Sequence, residues 1–275
     1  MKKFMKYSAI TALVMIVLGI IMTSTAMIVK GPETITLLTQ HSSELLNTLG
    51  GDVLINVAPD LNFDSDIPML SANTQQTIDG TGITKLDMEL GSCKLQILPS
   101  EDQYYYAHTD SAGICQVYSD DETLVVKAGS GVITLYIPDN FYFEEIKISL
   151  GAGEINSNSA FRTENLEVEL AAGEINLTNV EVGDLSTEVG AGSLSFAGSV
   201  LQSVDAECGM GNLSLELTGV QTDYNYDVDV AAGNVTIGNE SFSGIAGDRE
   251  INNNASKNVT VECALGNIDI SFCEN

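Results

Sequence analysis

LEVELAAGEINL, residues 166–177, carries the architecture of this 275-residue chain in one phrase. Leu166, Val168, Leu170, Ile175 and Leu177 fall on one side of an alternating pattern; Glu167, Glu169, Glu174 and Asn176 fall on the other. Period-two alternation marks half-buried strands and excludes helix over this stretch. Between the two runs lies Ala171-Ala172-Gly173, a corner of small residues. Glycine there permits positive φ or close backbone approach, so the chain bends sharply between two short strands.

The phrase recurs as LDMELGSCKLQI from Leu86, LVVKAGSGVITL from Leu124, IKISLGAGEINS from Ile146, LSTEVGAGSLSF from Leu185, VDAECGMGNLSL from Val204, YDVDVAAGNVTI from Tyr226 and VTVECALGNIDI from Val259. Gly153, Gly173, Gly192, Gly211, Gly233 and Gly266 share one column. Central copies start 19 to 22 residues apart, with gaps of 38 after Leu86 and 33 before Val259. Two periods of 19 make 38, which predicts a degenerate copy near Tyr105 to Gln116, with Tyr105, Ala107, Thr109 and Ile114 in register. Two short strands cannot bury their apolar edge alone, but a further copy stacked about 4.8 Å along covers it and continues both ladders. The chain therefore reads as all-β, a parallel β-solenoid of about eight or nine short coils stacked in chain order, preceded by one N-terminal transmembrane helix. The alternative makes each phrase a β-hairpin, with the hairpins stacked in a sandwich. Residues 238–258, rich in Asn, Ser and Gly, are expected to form a loop or small flap on one side.

Residues 1–30 differ in composition. Lys2, Lys3 and Lys6 precede an apolar run over residues 9–29, and Lys30 follows it. About twenty such residues span a bilayer as a helix, and the lysine bias places the N-terminus in the cytoplasm and the rest outside. Ser24-Thr25-Ala26 also fits a signal-peptide cleavage site, so the segment is a membrane anchor or a signal segment. Residues 31–82 read as a juxtamembrane helix, with Ile35, Leu38, Leu45, Leu46 and Leu49 on one face, followed by a Pro-, Asp- and Asn-containing linker. Residues 83–275 form the extracytoplasmic repeat domain, with a cell-membrane, single-pass localisation.

The five cysteines are an odd number without metal-ligand spacing. Cys208 and Cys263 occupy the same inward column; stacking in chain order separates them by two coils, beyond disulfide reach, and leaves them as small core residues. Cys93 and Cys115 could pair only if the degenerate coil exists.

A formal charge of −27 argues against a nucleic-acid partner. Its placement is more informative. Glu89, Glu169, Glu188, Glu207, Asp229 and Glu262 share one outward column, and Asp87, Glu167, Asp205 and Asp227 the column beside it. Carboxylates about 4.8 Å apart repel by ~1 kcal/mol in water and more at lower dielectric. Bulk counterions, a divalent cation such as Ca2+, or a cationic partner such as a basic peptide would relieve that repulsion. The candidate cation ladder is Glu169, Glu188, Glu207 and Asp229, and no other cofactor is expected. The N-x-S/T strings at Asn176, Asn212 and Asn234 follow from strand alternation and side-chain ladders without invoking glycosylation.

Catalysis needs a nucleophile with a base, a metal set, or a paired acid and base in a pocket. His41 and His108 are the only histidines, and neither neighbours a nucleophile motif. The recurrent G-A-G-E and A-A-G-E strings lack a following helix, so they are corners and not phosphate loops. Taken together, the repeats, VITLYIP at residues 132–138 and the late insertion ending in VECALGNIDI resemble the bacterial putative-adhesin family of unknown function, also described as Toastrack-type domains. That resemblance covers about residues 83–272 and implies a surface-exposed β-solenoid, often tethered by one N-terminal helix in Gram-positive bacteria and linked to envelope stress. It carries no catalytic residues over. The functional expectation is a single-pass, non-enzymatic solenoid acting in envelope-stress response or surface adhesion, with the membrane and an envelope protein or cationic peptide as partners. The alternative is a polysaccharide-active solenoid enzyme.

Overall fold

The computed structural model describes residues 61–274 except 101–102, 111–113, 139–140, 158 and 244–246. The expected membrane helix, the juxtamembrane helix and His41 lie outside the described residues. Among those described, no helix is long and apolar enough to cross a membrane.

Five 16-residue strands, β2 (Lys85–Ser100), β5 (Thr123–Pro138), β6 (Tyr142–Ser157), β8 (Glu174–Val189) and β9 (Ser193–Cys208), each run through a bend. Shorter strands complete the coils: β7 (Phe161–Leu170), β10 (Asn212–Thr218), β11 (Tyr224–Val230), β12 (Asn234–Ile237), β15 (Lys257–Cys263) and β16 (Asn267–Cys273). Equivalent positions of neighbouring copies pair in parallel: Leu166 with Ile146 and Leu185, and Ile175 with Ile155 and Leu194. The two halves of a phrase pair with other copies and not with each other, which rules out the hairpin sandwich. A third short run, Phe161–Thr163 against Val180–Val182, completes the coil. It is set off in β8 by register shifts beside Asn179, whose φ of 60° suits the short polar side chain of asparagine.

The alternation explains the core. Leu86, Leu124, Ile146, Leu166, Leu185, Val204, Tyr226 and Val259 form one inward row, none more than 2% exposed. Each buried Leu, Ile or Val contributes roughly 1.5–3 kcal/mol over an exposed one, so stacking, which supplies the burial, holds the fold.

Stacking does not follow chain order at either end. β5 lies outside β2, which it separates from solvent, while β2's other edge pairs with β6. At the far end the last coil, β15 and β16, inserts between β9–β10 and β11–β12. The steps that pass over a coil are the two 22-residue spacings, Leu124 to Ile146 and Val204 to Tyr226, while the long connections after β2 and before β15 join spatial neighbours and carry capping strands.

The extra residues in those connections cap the stack. Residues 105–120 are not a coil. β3 (Tyr105–Thr109) and β4 (Cys115–Asp120) pair antiparallel with β5, and β1 (Thr74–Ile78), inside the region read as linker, pairs antiparallel with β3. Strand alternation at 105–109 was legible, but it carries no strand polarity. Residues 238–258 are likewise more than a side flap: β13 (Glu240–Ser243) pairs antiparallel with β12, and β14 (Gly247–Ile251) with β11. Unpaired edges of end coils invite association with other chains, and antiparallel strands cover them at both ends.

Candidate functional site

The fourth position of each phrase points outward from the same strand, so stacking turns it into a column. In spatial order it reads Lys127, Glu89, Ser149, Glu169, Glu188, Glu207, Glu262, Asp229 and then Asp248 on the antiparallel cap. Glu169, Glu188 and Glu207 are direct neighbours, as the alternation predicts. Asp229 is not next to Glu207: the inserted last coil places Glu262 between them. Asp248 extends the column, a residue the phrase alignment could not find because its strand runs the other way. The neighbouring outward column is interrupted by Lys147, Ser186 and Thr260 and is not a continuous acidic row.

A basic residue balances the Glu89 end. Lys127 Nζ lies 3.0 Å from Glu89 Oε2, with both side chains mostly buried, which closes the column at the cap of β3 and β4. Lys147 bridges Glu145 at 3.4 Å and Glu167 at 3.5 Å, and Arg162 meets Glu181 at 2.7 Å. Ser149 Oγ donates to Glu169 Oε2 at 3.0 Å. Among the described residues no Lys or Arg lies within ion-pair distance of Glu188, Glu207 or Glu262.

The consequence is a raised proton affinity. Burial, then the charges of Glu207, Glu169 and Glu167, push the Glu188 carboxyl above its ordinary range. Burial, then Glu262 and Asp205, do the same to Glu207. Partial burial weakens solvent screening and makes each neighbouring charge felt. No cluster of three or more His, Cys, Asp or Glu converges as a metal-ligand set among the described residues. The carboxylates form a line, which suits an extended row of positive charges better than one chelated ion.

The opposite run of each phrase carries amide ladders. Asn267 Nδ2 donates to Asn212 Oδ1 and Asn234 Nδ2 to Asn267 Oδ1, each at 3.0 Å, and Asn176 Nδ2 donates to Asn156 Oδ1 at 3.1 Å. These contacts engage Asn176, Asn212 and Asn234 of the N-x-S/T strings. His108, on the capping strand β3, meets Asp110 at 2.7 Å.

Parallel coils, glycine corners and antiparallel end caps define a capped β-solenoid repeat domain. The chain belongs to the Toastrack DUF4097 family, whose model matches residues 107–272. Among solved structures the chain is similar to a putative cell adhesion protein from Clostridium sporogenes, at 15% identity and TM-score 0.39, covering 73% of this chain and 100% of that one. A putative adhesin from Bacteroides fragilis is 14% identical at TM-score 0.43, covering 72% and 96%. A putative adhesin from Parabacteroides distasonis is 11% identical at TM-score 0.29, covering 74% and 98%. No curated protein matches the sequence.

Proposed function

We propose that this domain is a non-enzymatic binding module, held at the outer face of the cell membrane by the N-terminal apolar segment, that recognises an extended cationic partner along its acidic column. The supporting observation is the run Glu169, Glu188, Glu207, Glu262 and Asp229, in register at about 4.8 Å, with raised proton affinity at its centre. Neighbouring carboxylates at that spacing repel, and a row of positive charges relieves several repulsions at once. Such recognition suits surface adhesion or the sensing of cationic envelope stress, and a basic peptide or the basic segment of an envelope protein has the required chemistry. Calcium is the simplest competitor. Melting the protein with hexalysine, calcium chloride and sodium chloride at matched ionic strength separates the three cases. Hexalysine is expected to raise Tm most; a calcium-specific rise assigns the column to divalent cations, and equal responses reduce it to screening.

A further inference from the structure

Cys208 ends the inner run of β9 and Cys263 that of β15, and insertion of the last coil makes them direct partners across a parallel ladder, each 3% exposed. Stacking in chain order would separate them by two coils; the observed order leaves one. Parallel partners lie about 4.8 Å apart at Cα, inside the ~4.4–6.8 Å that a disulfide spans. The Cys263 thiol donates to the Gly266 carbonyl oxygen at 3.2 Å. The two sulfurs also fill the corner space of the coil above: a Cβ at Gly266 would lie 2.5 Å from Cys208 Sγ, and one at Gly233 2.4 Å from Cys263 Sγ. Both cysteines are in the free thiol form in this structure.

We propose that Cys208 and Cys263 are a redox pair that closes to a disulfide under oxidising conditions and bolts the inserted last coil to its neighbour. The oxidant is an external disulfide, either a small one such as oxidised glutathione or that of a thiol–disulfide oxidoreductase. One protein thiolate attacks it and releases a thiolate; the second protein thiolate attacks the mixed disulfide and releases another. Two electrons pass from the protein to the oxidant, and the two protein thiol protons end on the released thiols. The neighbouring Cys263 sulfur, together with burial, holds the Cys208 thiol protonated in the closed fold, while the same contact pushes the Cys263 thiol down. Both residues are buried away from an external disulfide, so exchange runs before the last coil docks or while it is open.

The bond encloses residues 209–262, including the coil of β11 and β12 and both strands of its cap. Under reducing conditions only hydrogen-bond ladders and packing hold this end; under oxidising conditions a covalent link does. The test is to refold the full chain with oxidised glutathione, alkylate it, and digest it without reduction. The expected product is a peptide pair joined through Cys208 and Cys263, with Tm roughly 5–10 °C above the dithiothreitol-treated chain. That difference should vanish in Cys208→Ala/Cys263→Ala, while Cys273→Ser keeps both link and difference. Separate alkylation of Cys208 and Cys263 after oxidising refolding overturns the pairing, and a linked chain that melts like the reduced one overturns the bolt. If the double alanine variant fails to fold, the peptide map of the unaltered chain still decides the pairing.

Discussion

Gly173 lies directly over Gly153, so close that a Cβ built on Gly173 would sit 2.3 Å from the carbonyl oxygen of Gly153. Gly173 also has φ of 108°, which L side chains rarely adopt. The same column at Gly192 meets a different constraint: its φ is ordinary, but a Cβ would lie 2.7 Å from Leu170 Cδ2 and 2.8 Å from the carbonyl oxygen of Gly173. Gly82, at φ of 82° with nothing within 4 Å of an added Cβ, isolates the conformational part.

Denaturant titration of three alanine variants is expected to rank them. Gly82→Ala should cost about 1 kcal/mol, the strain alone. Gly173→Ala, which adds a backbone clash, should cost more than ~2 kcal/mol, with Gly192→Ala between them. Equal losses at Gly82 and Gly173 would show that corner stacking imposes no steric demand.

Coil content was legible because inward Leu166, Val168 and Leu170 and the corner at Gly173 recur together; the same pattern fits hairpins, and the parallel pairing of Leu166 with Ile146 and Leu185 decides for coils. Stacking order was not. Every copy offers similar ladders to every other, so alternation identifies Glu207 and Glu262 as members of one column without making them neighbours. Neighbours are decided by which coil each step passes over and by caps such as β4 and β14, whose antiparallel direction leaves no mark on an alternating sequence. The distance first inferred between Cys208 and Cys263 failed for this reason, as did the coil expected at 105–116. The acidic column survived because it depends only on register within each phrase, though Glu262 separates Asp229 from Glu207.

Acidification should strengthen this fold before it weakens it. Glu188 and Glu207 have folded pKa values raised above the ordinary 4.5. Their charge repulsion is therefore absent at and below that ordinary value, and the associated stability is lost as pH rises through the folded pKa. Glu154, held below its ordinary range by Lys94 and Asn156, works in the opposite sense, but only below 4.5. Calorimetry should show Tm rising from pH 7 to about 5, with a smaller rise in Glu188→Gln/Glu207→Gln. A Tm that falls steadily over that interval would mean that the column carries no excess repulsion.

Removing the last coil should release the one before it in sequence. Among the described residues β11 and β12 pair in parallel only with β15 and β16, and the caps β14 and β13 rest on them. Truncation after residue 256 is therefore expected to abolish hydrogen-exchange protection over Tyr224–Ile237 while Ile146–Leu177 stays protected. Retained protection at Tyr224–Ile237 would require another docking surface, such as the vacated edges of β9 and β10.

Topology can be read on intact cells. Because Lys2, Lys3 and Lys6 precede the apolar run, external protease is expected to remove the β domain and leave a membrane-bound stub. Recovery of the domain in the medium with Met27 at its start would show instead that the segment is cleaved.

The most direct test of cationic recognition compares two charge-matched variants of the full chain for hexalysine binding by calorimetry at fixed ionic strength. One carries Glu169→Gln, Glu188→Gln, Glu207→Gln and Glu262→Gln; the other removes as many charges at exposed sites off the column, through Glu144→Gln, Glu164→Gln, Glu216→Gln and Asp269→Asn. The account predicts that the column variant loses affinity by at least ~10-fold, about 1.4 kcal/mol, while the control stays within ~3-fold of the unaltered chain. Equal losses in the two variants would contradict it, because binding would then follow net charge and not the line of carboxylates.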